Sequence, residues 1–361
     1  MRHLLSFCCV LVPLFFSLPL WAAPAAKSSV AAAIETTLGT KEEHIRQLAF
    51  DGEDKTYFAS EKNATDKDHF TLVLNKPAAI RSVRVTTGRP DGGDKLDAGT
   101  LQVSVDGKTF AELAKFRGGV AEAKSAGRKI QAIRIKPIRD LKHPLVVREI
   151  VLDADPSVAI FKYPVEFLVD VSDAPEMKEW AEKAARICEQ QYTMINEELK
   201  VDGFQPPRRV RMKMTLKKMD FVAYASGNRI TGSVAWFKRH PDDFGAMVHE
   251  TVHVVQSYRV RGNPGWLVEG IADYVRFFKY EPGKLGRINA RRARYDGSYR
   301  VTAAFLAYVS EKYDKQIVRK LNKMMRAGEY KKEAFQKLTG KTLEQLGTEW
   351  QATLGASKSA R

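Results

Sequence analysis

The sequence predicts two folded units of different class, an N-terminal antiparallel β-sandwich and a C-terminal α+β domain. From 44 to 154, short runs of alternating apolar and polar residues recur, separated by turn residues such as Asp91-Gly92-Gly93 and Asp106-Gly107. That is the pattern of half-buried strands in an antiparallel protein. After Asp155-Pro156 a few strand-like runs give way to long helical patterns, the texture of an α+β domain. A chain of 361 residues, 44% hydrophobic, has room for two cores of ordinary size.

The elements follow in order. Met1-Arg2-His3 is a short basic start, residues 4–21 are mostly apolar, and small residues follow at Ala22, Ala23, Ala25 and Ala26. This is the anatomy of a secretory signal peptide over 1–25, and it implies a secreted or periplasmic protein. Pro13 and Pro19 argue against a lasting anchor, and no later run is long and apolar enough to span a bilayer. Residues 26–43, rich in Ala, Ser and Lys, read as a linker. Strands at 70–74, 82–86, 101–105, 130–135 and 146–152 would fill the sandwich at 44–154. The second domain, at 160–355, starts with strand sequence at 165–171. A helix then opens at Ser172-Asp173-Ala174-Pro175-Glu176, where an acid and an early proline suit the free N–H groups of a first turn. Strands at 209–216 and 229–237 precede helices at 301–312, 315–325 and 343–354.

The formal charge is +16, but the lysines and arginines are scattered and form no nucleic-acid motif. Such a chain is drawn to acidic substrates and anionic surface polymers, and no nucleic-acid partner is expected. Loss of the signal would leave Cys188 as the one cysteine, so no internal disulfide is expected. Its helical surroundings read as a small buried side chain.

The chemistry concentrates in Met247-Val248-His249-Glu250-Thr251-Val252-His253-Val254-Val255-Gln256. Two histidines four apart on a helix share one face, so both imidazoles reach one ion, and zinc suits neutral imidazole. Glu250 stands where it could take a proton from an attacking water. Pro241-Asp242-Asp243 puts carboxylates at the positive end of that helix. A second helical pattern, Trp266-Leu267-Val268-Glu269-Gly270-Ile271-Ala272-Asp273-Tyr274, carries two acids in apolar surroundings. Burying them is costly unless they pair or bind metal. Glu269 as third ligand and Asp273 as the partner of a histidine N–H would resolve that cost.

These residues resemble a known family. HETVHVVQSY followed by PGWLVEGIADYVR is similar to the basic secretory protein peptidases of plants and bacteria, and 295–306 resembles that family's next block. The resemblance covers about 160–350. It implies a gluzincin-like, zincin-type fold, with a small sheet over an active-site helix and a helical lower part. It also implies peptide or protein substrates, with His249, His253 and Glu269 as zinc ligands, Glu250 as general base and Asp273 as a ligand's partner. Tyr299, in the later block, is the candidate donor to the oxyanion. The run 229–237 is the candidate edge strand for an extended peptide.

Residues 44–154 resemble a discoidin-type (factor V/VIII type C) jelly-roll sandwich, also used as a carbohydrate-binding module. The likeness rests on Phe50-Asp51-Gly52-Glu53-Asp54-Lys55-Thr56-Tyr57-Phe58, Val103-Ser104-Val105-Asp106-Gly107 and Val147-Arg148-Glu149-Ile150, although Phe58 stands where that family often has tryptophan. It leaves open whether the domain takes a glycan, a lipid headgroup or nothing, and the net charge adds an anionic cell-surface polymer as a partner. The resemblance implies a calcium cage in the first loop, for which Asp51, Asp54, Thr56 and Glu149 are the candidates. Asn63-Ala64-Thr65 is a glycosylation sequon. An alternative stays open, a non-catalytic adhesion protein whose second domain holds a structural zinc. Glu250 discriminates, because a structural site has no use for a base beside the metal.

Overall fold

The computed structural model describes residues 30–297 and 299–356; the expected signal peptide at 1–25 lies outside them. The sandwich is built from β1 (Ala32–Thr36), β2 (Phe58–Asn63), β3 (Phe70–Thr87), β4 (Gly99–Ser104), β5 (Ala111–Lys115), β6 (Val120–Pro137) and β7 (Pro144–Asp155). All pair antiparallel, in the order β2-β7-β3-β6-β4-β5 with β1 on β3. The two long strands, β3 and β6, serve both layers. β1 pairs with the first half of β3 (Ala32 with Leu74), whereas β7 pairs with its second half (Ala79 with Asp155). β4 lies on the second half of β6. Each long strand changes layer at a break in register, β3 between Val73 and Ala78 and β6 between Lys124 and Arg128. There Ala126 and Gly127 adopt φ of 50° and 75°, and the bulge bends the strand. Phe58, Phe70, Leu72, Val83, Ile133 and Val147 are buried between the layers.

Two expectations about this half need correction. Residues 26–43 contain strand β1 and are no linker. Their alanine-rich composition misled because Ala32 and Ala33, though small, are buried together with Ile34 where β1 pairs with β3. The sandwich also outruns the expected limits of 44 and 154. Val30 bridges to Val158, and Phe161 N–H donates to Phe50 O at 2.9 Å with its ring in the core.

The second half comprises β8 (Glu166–Asp170), α1 (Lys178–Glu198), β9 (Arg209–Thr215), β10 (Ala223–Ser226), β11 (Arg229–Ser233) and α2 (Val234–Arg239). Then come α3 (Phe244–Gln256), α4 (Gly265–Val275), α5 (Tyr299–Lys312), α6 (Ile317–Ala327), α7 (Ala334–Thr339) and α8 (Leu343–Ala356). The sheet runs β10-β11-β9-β8 and is parallel except for β10. The expected strand 229–237 is therefore two elements. It breaks at Ser233, whose hydroxyl accepts from Trp236 N–H at 3.3 Å and caps α2. Its strand part is interior, and the edge belongs to β10. Cys188 is a buried free thiol on α1. Among the described residues no helix is long and apolar enough to cross a membrane.

The halves meet through buried charge. Arg46, on a 3-10 turn of the sandwich, reaches Glu166 Oε1 of β8 at 3.5 Å and Glu189 Oε1 of α1 at 3.2 Å. Glu189 also takes Arg186 at 3.0 Å and the Phe167 N–H at 2.8 Å. Thr40 Oγ1 donates to Glu166 Oε1 at 2.6 Å, and Gln47 Oε1 accepts from Val165 N–H at 2.8 Å.

Candidate metal centre and cleft

Helix α3 presents His249 and His253 on one face, and its start is tightly fixed. Asp243 accepts from Ala246 N–H at 3.3 Å and holds Arg276 Nη2 at 2.6 Å. Arg276 in turn bonds Glu281 Oε1 at 2.6 Å. Gly245 is required under that pair, since a Cβ there would stand 2.3 Å from Glu281 Oε1 and 2.7 Å from Arg276 Nε.

Helix α4 crosses α3 with Glu269 and Asp273 one turn apart, and the two carboxylates straddle the His249 ring. Glu269 Oε2 is 3.1 Å from Nε2, and Asp273 Oδ1 accepts from Nδ1–H at 2.7 Å. His253 repeats the arrangement with a different partner. Its Nε2 lies 3.1 Å from Glu269 Oε2 and 3.1 Å from His249 Nε2, and its Nδ1–H donates to Gln256 Oε1 at 2.7 Å. Gln256 Nε2 donates to Val268 O at 2.9 Å, which turns its carbonyl toward His253. With both Nδ1 atoms engaged by these partners, the two Nε2 atoms and a carboxylate oxygen converge on one point. Three acceptors so placed call for a cation. Among the described residues this is the one group of three such side chains able to hold a metal.

The electrostatics show the same demand. Burial opposes a charged His249, but the hydrogen bonds to Asp273 and Glu269 outweigh it and push the imidazole up to about 10. Burial would raise Glu269, yet bonds to both imidazoles hold it well below the usual carboxylate range. Glu250, one residue after His249, is buried, and that burial raises its carboxyl, as does the charge of Glu269. The Ala225 N–H of β10 faces it, tying the helix to the edge strand.

These groups line a cleft of about 790 Å³ together with β10, Tyr299 and Arg300. Tyr299 opens α5, 55% exposed, with its ring 6.4 Å from that of His249. The negative charge of Glu269, then burial, raises its phenol. Its position depends on Gly270, where a Cβ would come 2.1 Å from Thr302 Cγ2 and drive α5 off α4.

The structure therefore brings His249, Glu250, His253, Glu269, Asp273 and Tyr299 to one cleft. Sequence reasoning missed Gln256 as a histidine partner, though its spacing of three from His253 was a usable signal, and it missed β10 as the edge strand. The calcium candidates lie in the sandwich. Thr56 Oγ1 donates to Asp51 at 2.9 Å, and Glu149 has a buried Oε2 without a partner among the described residues. Burial and the nearby Asp51 push Glu149 up to about 7. Asp54 is exposed, with no hydrogen bond or ion pair to the described residues.

Comparison with known proteins adds a family. A family model described as a peptidase of plants and bacteria matches residues 166–350. Among solved structures, the chain is similar to a carbohydrate-binding module of a family 31 glycoside hydrolase from Clostridium perfringens. That pair shares 20% identity over 35% of this chain and 97% of that one, with a TM-score of 0.30. A chitosan-binding module from a Paenibacillus chitosanase/glucanase shows 16% identity over 35% and 96%, with a TM-score of 0.30. No curated protein is found to match the chain.

Proposed function

The chain belongs to the family of peptidases of plants and bacteria, and on that premise we propose that it is an exported zinc metallopeptidase cleaving proteins or (glyco)peptides. One observation carries the reading. His249 Nε2, His253 Nε2 and Glu269 Oε2 stand 3.1 Å apart pairwise. Tetrahedral ligands on zinc at about 2.0–2.1 Å would stand about 3.3 Å apart, so the donor set fits that ion.

Zinc, when bound, would polarise the scissile carbonyl and acidify water. Glu250 takes the proton from the attacking water and returns it to the leaving amine; its raised carboxyl suits both steps. Tyr299 donates its hydroxyl to the oxygen that gains charge. Strand β10 has one side free in the sheet order, which supports main-chain pairing with an extended substrate along the cleft. Asp273 and Gln256 hold the two imidazoles in the tautomer that leaves Nε2 free.

For the sandwich we propose docking to a glycan or an anionic surface polymer. None of its Phe, Tyr or Trp side chains is exposed among the described residues, so docking rests on polar contacts and charge in place of ring stacking. A calcium ion held by Asp51, Thr56 and Glu149 is part of this proposal, supported by the unpartnered Glu149 oxygen. The adhesion alternative gives Glu250 no task.

The test is metal content and peptide hydrolysis of the purified protein. Wild type should hold about one zinc per chain and cleave peptides. His253→Ala should lose both, and Glu250→Gln should keep zinc but lose turnover. Full turnover in Glu250→Gln, or no zinc in wild type after reconstitution, overturns the proposal.

A further inference from the structure

We infer that Arg300 makes the cleft select an acidic side chain close to the scissile bond, a specificity that rests on the peptidase reading above. The cleft has two arginines, in opposite electrostatic states. Arg276 is neutralised, with Asp243 Oδ1 and Glu281 Oε1 each at 2.6 Å. Arg300 makes no ion pair or hydrogen bond with the described residues, although it lines the same cavity as His249 and Glu269.

Its direction is set by a ring. The Arg300 guanidinium lies 4.9 Å from the centroid of Phe277, and Arg276 sits 4.7 Å from the same ring. Phe277 is 2% exposed, so it is a fixed support held in the protein body. A guanidinium resting on an aromatic face keeps its N–H edge free for a planar carboxylate. Arg300 is itself exposed, and the Phe277 ring gives its guanidinium a support at the cleft that an isolated surface arginine lacks. It lines the same cavity as Tyr299, whose ring lies 6.4 Å from that of His249, so the cation and the metal-site side chains face one space. The cleft volume of about 790 Å³ is enough for only a few residues of an extended peptide. Apolar side chains such as Val268 and Phe277 line it as well, and they strengthen a charge pair relative to open water.

A charge-assisted pair of this kind is worth roughly a ten-fold preference in a partly open site. The experiment uses the full-length, zinc-loaded protein with a peptide library in which each position carries Asp, Asn or Lys in turn. Wild type should favour Asp over Lys about ten-fold at one position near the cut, mainly through KM. Arg300→Glu should reverse that preference, with zinc content retained. A binding measurement avoids reliance on turnover: in the Glu250→Gln background, Arg300→Glu should weaken the acidic peptide about ten-fold and the neutral one less than about two-fold. Continued cleavage with an unchanged Asp-to-Lys ratio in Arg300→Glu overturns the inference and leaves the peptidase reading standing. Failure of wild type to cleave or bind any peptide overturns both.

Discussion

Replacing Asp273 separates the support of a ligand from the ligand itself. Its Oδ1 accepts from His249 Nδ1–H at 2.7 Å, and the carboxylate is only 5% exposed. Asp273→Asn keeps an acceptor of the same shape but removes the charge. A hydrogen bond to a charged group contributes about 1.5–3 kcal/mol and a neutral one about 0.5–1.5, so the difference is about 1–1.5 kcal/mol. That corresponds to about ten-fold weaker zinc binding. Asp273→Ala removes the whole bond and frees the ring to turn, which should cost about 2–3 kcal/mol, or roughly a hundred-fold. Gln256→Ala removes a neutral bond from His253 and should weaken zinc about five-fold. The assay is competition for zinc against a chromophoric chelator of known affinity, with each folded variant checked by circular dichroism. The expected order of loss is Asp273→Ala, then Asp273→Asn, then Gln256→Ala. Zinc binding by Asp273→Ala within two-fold of wild type would show that the imidazole needs no partner to stay aimed.

Two further outcomes are expected. Glu149 is raised from the ordinary 4.5 to about 7 by burial and by Asp51, so the folded metal-free protein holds that proton more tightly than the unfolded chain. The associated stability is complete below about 4.5 and is lost as pH rises through about 7, on the order of 3 kcal/mol. Denaturant melts across pH 4–8 should show this slope, Glu149→Gln should flatten it, and added calcium should stabilise more at pH 8 than at pH 5. Arg46→Ala removes one of the cations shared by Glu166 and Glu189, which keep Arg209 and Arg186, and should destabilise the chain by about 1.5–3 kcal/mol in chemical denaturation. A loss under about 1 kcal/mol would show that the junction contributes little.

What could be read from the sequence was what is local. His249 and His253 share a helix face by their spacing alone, and Glu269 and Asp273 stand out as acids in an apolar helical run. Both features survive because a helix fixes which neighbours face together. What escaped depends on partners far along the chain. Ala32 to Ile34 look like linker until β3, some forty residues on, is laid beside them. That β10 and not β11 forms the edge follows from the order in which four strands assemble, which no single strand records. The end of β11 was misjudged because one hydroxyl, Ser233, turns an apolar strand-like run into a helix start. The pairing of Gln256 with His253 depended on Val268 O, a backbone group of the next helix, to orient the amide.

The buried charges around Arg46 have a mechanical consequence. A binding module on a flexible tether lets its enzyme search a volume, and the cut then falls anywhere within the tether's reach. Here Arg46, Thr40 and Gln47 lock the sandwich directly onto β8 and α1 of the sheet domain. On the proposed reading, a ligand held by the sandwich would be kept at a set distance from His249, His253 and Glu269. On a long substrate the protein would work as a ruler, with cuts at a set interval from the point of grip.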